Sequence, residues 1–593
     1  MIFFKVRTEK IWSWMKIHSI AVLVGACVVV LIASPHLRAW SIVGQEDFKG
    51  VHVQFNDDEV TYQARIKEAV EGKLTIGNPY IKEHIDDPFI MPPIAEWTIA
   101  FFSWVTGTSV PFITSVSDGV LGFVDFLLVY ALFLAVTGKS QGVSLLYTLL
   151  FFVFSLATFG RPISPQFNAI FLFIGLIAIT KIYFWEGVQN PRGNLLAGLV
   201  AGITCFISPY YFTALLAFYV LVFTARAFQE RSIEVVRQNV PWFFVSFLPL
   251  AVLYAFFQFE AAQDPSYSET VLRYGLMHTH IPGSFTNMFF GGIALGVLIL
   301  SFKSISDKKF AFALGSIATI FALNWQNILT GKSLQFSSHY LFTTILLVFV
   351  VLALLHAELL SKAGKEFGRY KKVFVSFGIL FLIVLIGHNQ KWEFMHIGSM
   401  QYSRQELIAE QKKMDVFTWF TENTPSDSVV YTLGGNYDFL LPVYTENRVF
   451  YNFYAALYPA PHTETEERWI IQHLFDTAVS TSTLRDAQRD YWGNLYIDSY
   501  QSKENRKKIQ ALLTRTPYVS GQMIPEERIE YMVKRWTEIT AKPLEENFRR
   551  YEIDYILVSS DYPYYEEAVS RLDGMESVSL AAEVGTTRIY TFR

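Results

Sequence analysis

The sequence predicts a polytopic α-helical membrane protein of about eleven transmembrane helices followed by a C-terminal extracytoplasmic α/β domain, and three observations carry that reading. Of its 593 residues 52% are hydrophobic and only 17% are charged, where a soluble chain carries about 25% charge. The apolar residues gather in successive blocks, each near the roughly 20 residues a helix needs to cross a bilayer. Beyond residue 388 the blocks stop. There the strand-like runs SVVYTL, RVFYNFY, YILVSS and RIYTF alternate with helical patterns such as SRQELIAEQKKMDVFTWFTEN, as in an α/β domain.

From the N-terminus, MIFFKVRTEKIWSWMK is basic and precedes SIAVLVGACVVVLIA, which reads as an uncleaved signal anchor. Spans are expected near 17–34, 118–137, 142–160, 165–184, 194–208, 210–224, 240–258, 285–301, 310–326, 339–357 and 373–388. Between 194 and 224 the run is divided at Ser208-Pro209. One kinked span there would place the basic loops that follow, with Arg226, Lys308 and Lys371, on the wrong side. With the division, Lys and Arg gather in the cytoplasmic segments, and the short external loops hold Arg161, Arg273 and Lys332. This bias sets the orientation in the cytoplasmic membrane. The N-terminus is cytoplasmic, a long acidic loop (35–117) is external, and residues 389–593 form the external domain after a membrane domain over 1–388.

Bulk numbers exclude other classes. A net charge of −4 and the lack of a basic-aromatic pattern argue against a nucleic-acid partner. Cys27 and Cys205 both lie in apolar segments, so they read as packing residues and not as a disulfide or metal framework. Paired Gly434 and Gly435 read as a turn, since LGGNYD lacks the spacing of a phosphate-binding loop.

The chemistry-bearing residues concentrate in the first external loop. FNDDEVTYQARIKEAVEG places Asp57, Asp58 and Glu59 in succession. Asn56 to Glu59 fits a capping box, which accounts for Glu59. It leaves Asp57 and Asp58 free for use as a general base or as ligands of a divalent metal, magnesium or manganese. Asp86 and Asp87 precede Pro88 in a Pro-rich stretch read as an ordered loop, either completing an acidic site or forming a turn. Asp118 is expected to cap a helix, and Asp125, two turns into a span, to face a cavity or partner. Arg161 beside two prolines suits a phosphate. Tyr210 and Tyr211 in the turn SPYY suit stacking on a sugar, and the polar loop NWQNILTGKSLQFSSHY offers Gln326, Asn327, Lys332, Gln335 and His339. His278 and His280 form a His-x-His pair with no third ligand near in sequence.

Asp58-Glu59-x-x-Tyr62, in the first external loop after a first span, resembles the Asp-Glu signature of membrane glycosyltransferases with the GT-C fold. Protein O-mannosyltransferases, aminoarabinose transferases and oligosaccharyltransferases belong to that class. The resemblance implies a polyprenyl-phosphate-linked sugar donor, a glycan, lipid or protein acceptor in the cell envelope, and Asp58 as the catalytic Asp, general base or metal ligand, with Asp57 assisting. By their own chemistry, Asp86, Asp87, Asp125, Arg161, Tyr210, Tyr211, Lys332 and His339 are the residues expected to bind donor or acceptor. A second-loop acid of the family pattern is not matched, which leaves the metal and donor class open. Two other classes fit parts of the pattern. A transporter or flippase of lipid-linked glycans predicts repeated halves, which the sequence lacks. A non-catalytic scaffold predicts that the first-loop acids tolerate neutralisation.

Overall fold

Val, Leu, Ile and Ala run almost unbroken after Ser19 and form the first helix, α1 (Ser19–Val43). It continues past the expected end at residue 34, through Pro35, before stopping at Gly44. The computed structural model describes residues 13–52, 58–155, 161–185, 190–273, 275–280, 282, 285–334, 339–362, 403–476 and 481–593. The helices that follow are α2 (Glu59–Val70), α3 (Ile94–Thr106), α4 (Val110–Val136), α5 (Gln141–Ser155), α6 (Asn168–Phe184) and α7 (Pro191–Cys205). Then come α8 (Pro209–Glu230), α9 (Glu234–Ala261), α10 (Tyr267–Arg273), α11 (Phe285–Leu300), α12 (Asp307–Trp325) and α13 (Tyr340–Ser361).

Among the described residues six helices are long and apolar enough to cross a membrane: α1, α4, α6 with its lead-in from Ile163, α8, α9 and α13. The chain is therefore a polytopic helical membrane protein. Helices α5 and α11 are apolar but shorter. At 1.5 Å per residue, a helix of 15 residues such as α5 reaches about 22 Å, against roughly 30 Å of hydrocarbon. The span expected at 373–388 lies outside the described residues.

The break expected at Ser208-Pro209 is present: α7 ends at Cys205, Ser208 is extended, and Pro209 opens α8. Proline suits a first turn, where its missing N–H is no loss. Two expectations nearby are corrected. SPYY is not a free turn, because Pro209, Tyr210 and Tyr211 are the first residues of α8. Arg226 lies inside α8 and not in a loop, since its Nε bonds Glu230 one turn on at 2.7 Å and so carries the helix further. Small residues bring the helices together. A Cβ on Gly198 of α7 would stand 2.1 Å from the Phe243 carbonyl of α9, and one on Gly315 of α12 would meet Val222 of α8 at 2.6 Å.

In the first external loop the prolines act as expected up to Pro93, and α3 then starts at Ile94. This helix was not legible as a separate element. It leaves Trp97, Phe101, Phe102 and Trp104 exposed, a composition suited to the interfacial layer of a bilayer. Two polar loops also meet. β1 (Leu276–His278) and β2 (Lys332–Leu334) pair antiparallel, with His278 opposite Lys332.

Residues 403–593 carry a five-stranded sheet in the order β4-β3-β5-β7-β6. Its strands are β3 (Val429–Leu433), β4 (Arg448–Val449), β5 (Ile553–Ser559), β6 (Val578–Val584) and β7 (Thr587–Phe592). Strand β3 runs parallel to β4 and β5, and β7 is antiparallel to β5 and β6. Gly434 and Gly435 have φ of +79° and +67°, so the paired glycines form the turn expected after β3. This sheet shares one core with the first loop. Val51, Val60, Ala64 and Tyr80 pack with Phe417, Val430, Leu441 and Leu557. The Val449 amide donates to the Tyr80 carbonyl at 3.0 Å, and buried Arg448 pairs with buried Glu68.

Candidate functional site

Helix α2 begins at Glu59, with Asp58 immediately before it. That position leaves the Asp58 carboxylate 44% exposed while its backbone is held by the helix. Two distant residues close on it. Arg161 Nη1 donates to Oδ2 at 2.5 Å, and the Tyr454 hydroxyl donates to Oδ1 at 3.1 Å. Arg161 is 15% exposed, and its Nε is buried with no hydrogen-bond partner among the described residues. Tyr62, one turn along α2, completes the corner. Burial pushes its phenol above the usual value, against the opposing pull of Arg161 and in the same direction as Asp58.

The remaining expected site residues are spread over several places. Tyr210 and His339 come together, their rings stacked at 4.9 Å and 12°, and Tyr211 is buried beside Phe342. Lys332 is exposed on β2, and none of the described contacts joins it to Asp58 or Arg161. Asp57, with Asn56 of the expected capping box, lies outside the described residues, as does Gln335.

Asp86 is exposed, and Asp87 belongs to a different contact. Its carboxylate bonds His84 Nδ1 at 2.6 Å, and the other ring nitrogen of His84 meets Glu464 at 3.1 Å. Burial opposes the charged imidazole, but the hydrogen bonds to Asp87 and Glu464 outweigh it and raise its pKa to about 9. Burial likewise opposes ionisation of Glu464, yet His84 and Arg468 bring it down to about 2. His84 is thus charged in the fold over a range where it is neutral when unfolded. Its contribution is fully present below about pH 6.5 and is lost as pH rises through about 9. His84→Gln is expected to lower stability at pH 6 by about 1–3 kcal/mol and to flatten the fall between pH 7 and 10. Thermal unfolding across that range checks it, and an unchanged pH slope would sink the assignment.

Two expectations about α4 are corrected. Asp118 is no N-cap, because the helix starts at Val110 behind Ser109, so Asp118 lies well inside it. It accepts instead from His36 Nε2 of α1 at 2.9 Å. Asp125 is about four turns into α4 and not two. It is fully buried, and neither carboxylate oxygen has a partner among the described residues.

For metal ions, the described residues offer one suitable group: His36, Glu59 and Asp118, whose donor atoms all lie within 4.8 Å of one another. His278 and His280 do not form such a group. His278 lies in β1, and His280 Nδ1 bonds the Ile328 carbonyl at 3.0 Å. Sequence reasoning missed His36 and Tyr454. His36 sits just past the expected first span, and nothing local couples it to a residue 82 positions away. Tyr454 is separated from Asp58 by 396 positions. No protein-family model matches the chain, and no curated protein matches it either.

Proposed function

We propose that the protein is an integral membrane glycosyltransferase of GT-C type. It transfers a sugar from a polyprenyl-phosphate-linked donor to a glycan, lipid or protein acceptor on the outer face of the cytoplasmic membrane. The observation that carries this reading is the Asp58–Arg161 pair, a half-exposed carboxylate held by a mostly buried guanidinium beside a bundle of apolar helices. An incoming phosphate competes for the guanidinium in bidentate fashion and releases Asp58 as a base. The acceptor then gives its proton to Asp58 as it bonds the anomeric carbon. The bond from that carbon to the phosphate oxygen breaks, and polyprenyl phosphate leaves with the electron pair, its charge balanced by Arg161. In the GT-C reading Asp57 assists, and Tyr210, Tyr211, Lys332 and His339 contact donor or acceptor. A divalent metal ion, when bound, would offset further charge on the phosphate. Asp58 itself is already engaged by Arg161 and Tyr454.

Topology supports the same reading. The first loop and residues 403–593 share a core, so both lie on one side of the membrane. Among the described residues, five helices long and apolar enough to cross a membrane and two shorter apolar ones lie between them. Only Asp125, buried and unpartnered among the described residues, favours the transport alternative.

The test is release of free polyprenyl phosphate by the purified wild type from a panel of polyprenyl-phosphate sugars, with envelope extract as acceptor source. Release from one donor, coupled to acceptor labelling, is expected. Its absence across the panel, or movement of intact donor between leaflets without release, counts against a transferase.

A further inference from the structure

We infer that His36, Glu59 and Asp118 form a binding site for one divalent transition-metal ion, of the zinc or manganese class, beside the Asp58 site. Three separate segments converge there. His36 comes from the last turns of α1, Glu59 from the first residue of α2, and Asp118 from the middle of α4. Their donor atoms lie within 4.8 Å of one another, so a small inward movement brings them to metal-ligand distances of about 2.0–2.2 Å. Glu59 is 2% exposed and Asp118 1%. A cation bound beside a buried carboxylate stabilises its charged form.

A second observation points the same way. Asp118 Oδ2 accepts from His36, but Oδ1 is buried with no hydrogen-bond partner among the described residues. A buried carboxylate oxygen left unmatched carries a desolvation penalty, which a cation between the three donors removes.

The surroundings have the character of a supporting shell. Buried Gln63 donates to Glu59 Oε1 at 3.3 Å and to Thr114 Oγ1 at 3.0 Å. Thr114 is anchored in turn to the Val110 and Pro111 carbonyls. Such outer contacts orient ligands in metal sites. His36 also lines a cavity of about 330 Å³ together with Trp40, Phe48, His52, Phe112 and Ser115. One imidazole and two carboxylates leave coordination positions open, as in sites that do more than brace a fold; the nitrogen ligand favours zinc over calcium, and the two carboxylates also suit manganese. This places the cation one residue along from the Asp57–Asp58 ligand pair expected from sequence. Because Glu59 adjoins Asp58, a bound ion also fixes the start of α2 and so the position of Asp58. The site stands on its own geometry, independent of what Asp58 does.

The experiment is zinc titration by calorimetry of the full chain in detergent after chelator treatment. Metal content and the zinc-dependent rise in melting temperature serve as second readouts. Wild type is expected to bind one zinc per chain. Asp118→Asn and the conservative His36→Gln are expected to weaken binding by about ten-fold or more, while a His278→Ala/His280→Ala chain binds as wild type does. If Asp118→Asn does not fold, His36→Gln decides. No binding by wild type, binding untouched by both substitutions, or binding lost in the His278/His280 variant overturns the assignment.

Discussion

Asp58→Asn is expected to reduce release of polyprenyl phosphate by about 10³-fold while the protein still folds. Asparagine keeps the shape of the side chain and still accepts the 3.1 Å hydrogen bond from Tyr454. It lacks the charge that pairs with Arg161 and the basicity that the proposed transfer requires of Asp58. Asp58 is 44% exposed but Arg161 only 15%, so melting temperature in detergent is measured beside turnover to separate a folding loss from a loss of activity. Arg161→Lys sharpens the reading. It keeps a cation but loses the planar fork, so the donor KM is expected to rise about ten-fold with a smaller change in kcat. Equal turnover by Asp58→Asn and wild type would remove Asp58 from the chemistry. A kcat loss in Arg161→Lys as deep as that of Asp58→Asn would mean that the arginine does more than hold phosphate.

The largest expected effect on stability is at Arg65. Its side chain is fully buried in α2 and its Nε bonds Glu96 of α3 at 2.5 Å, with Glu96 itself 4% exposed. Its Nη2 donates to the Met91 carbonyl at 3.0 Å. Arg65→Met fills similar volume but leaves the Glu96 carboxylate buried without its cation, a loss of about 3–5 kcal/mol. Arg65→Met/Glu96→Leu removes both charges and is expected to recover most of that loss, since a buried pair is seldom more stable than an apolar replacement. Denaturant unfolding of the two variants in detergent checks the contrast. A double variant as unstable as the single one would show that the pair organises the loop beyond balancing its own charge. The tie matters for the site, because α3 hangs from α2 through this contact and presents Trp97, Phe101, Phe102 and Trp104 outward.

What was legible in the sequence follows from periodicity and local chemistry. Ten expected spans fall on helices, six of them long and apolar enough to cross a membrane, because a helix satisfies the backbone hydrogen bonds of an apolar run within the run itself. Ser208-Pro209 marked a real break, because proline and an extended serine act within a few residues. The paired glycines after β3 were legible for the same reason. α3 was hidden because Pro92 and Pro93 sit against it, and proline ends one element and begins the next with the same signal. Asp118 was mistaken for a cap because Ser117-Asp118-Gly119 has a capping composition, and only the three-dimensional start of α4 at Val110 overrules it.

By itself, the sequence determined the membrane character, the run of helices, the acidic first loop and the candidacy of Asp58. All of these depend on residues within about one helical turn or one span of each other. Only the tertiary structure decided the partners. Arg161 reaches Asp58 across 103 positions and Tyr454 across 396. His36 meets Asp118 across 82, and Glu464 meets His84 across 380. A side chain's chemistry is written in the residue, but its partner is chosen by packing. Here the shared core of the first loop and the C-terminal sheet brings chain-distant charges into hydrogen-bond range, and no local pattern encodes that meeting.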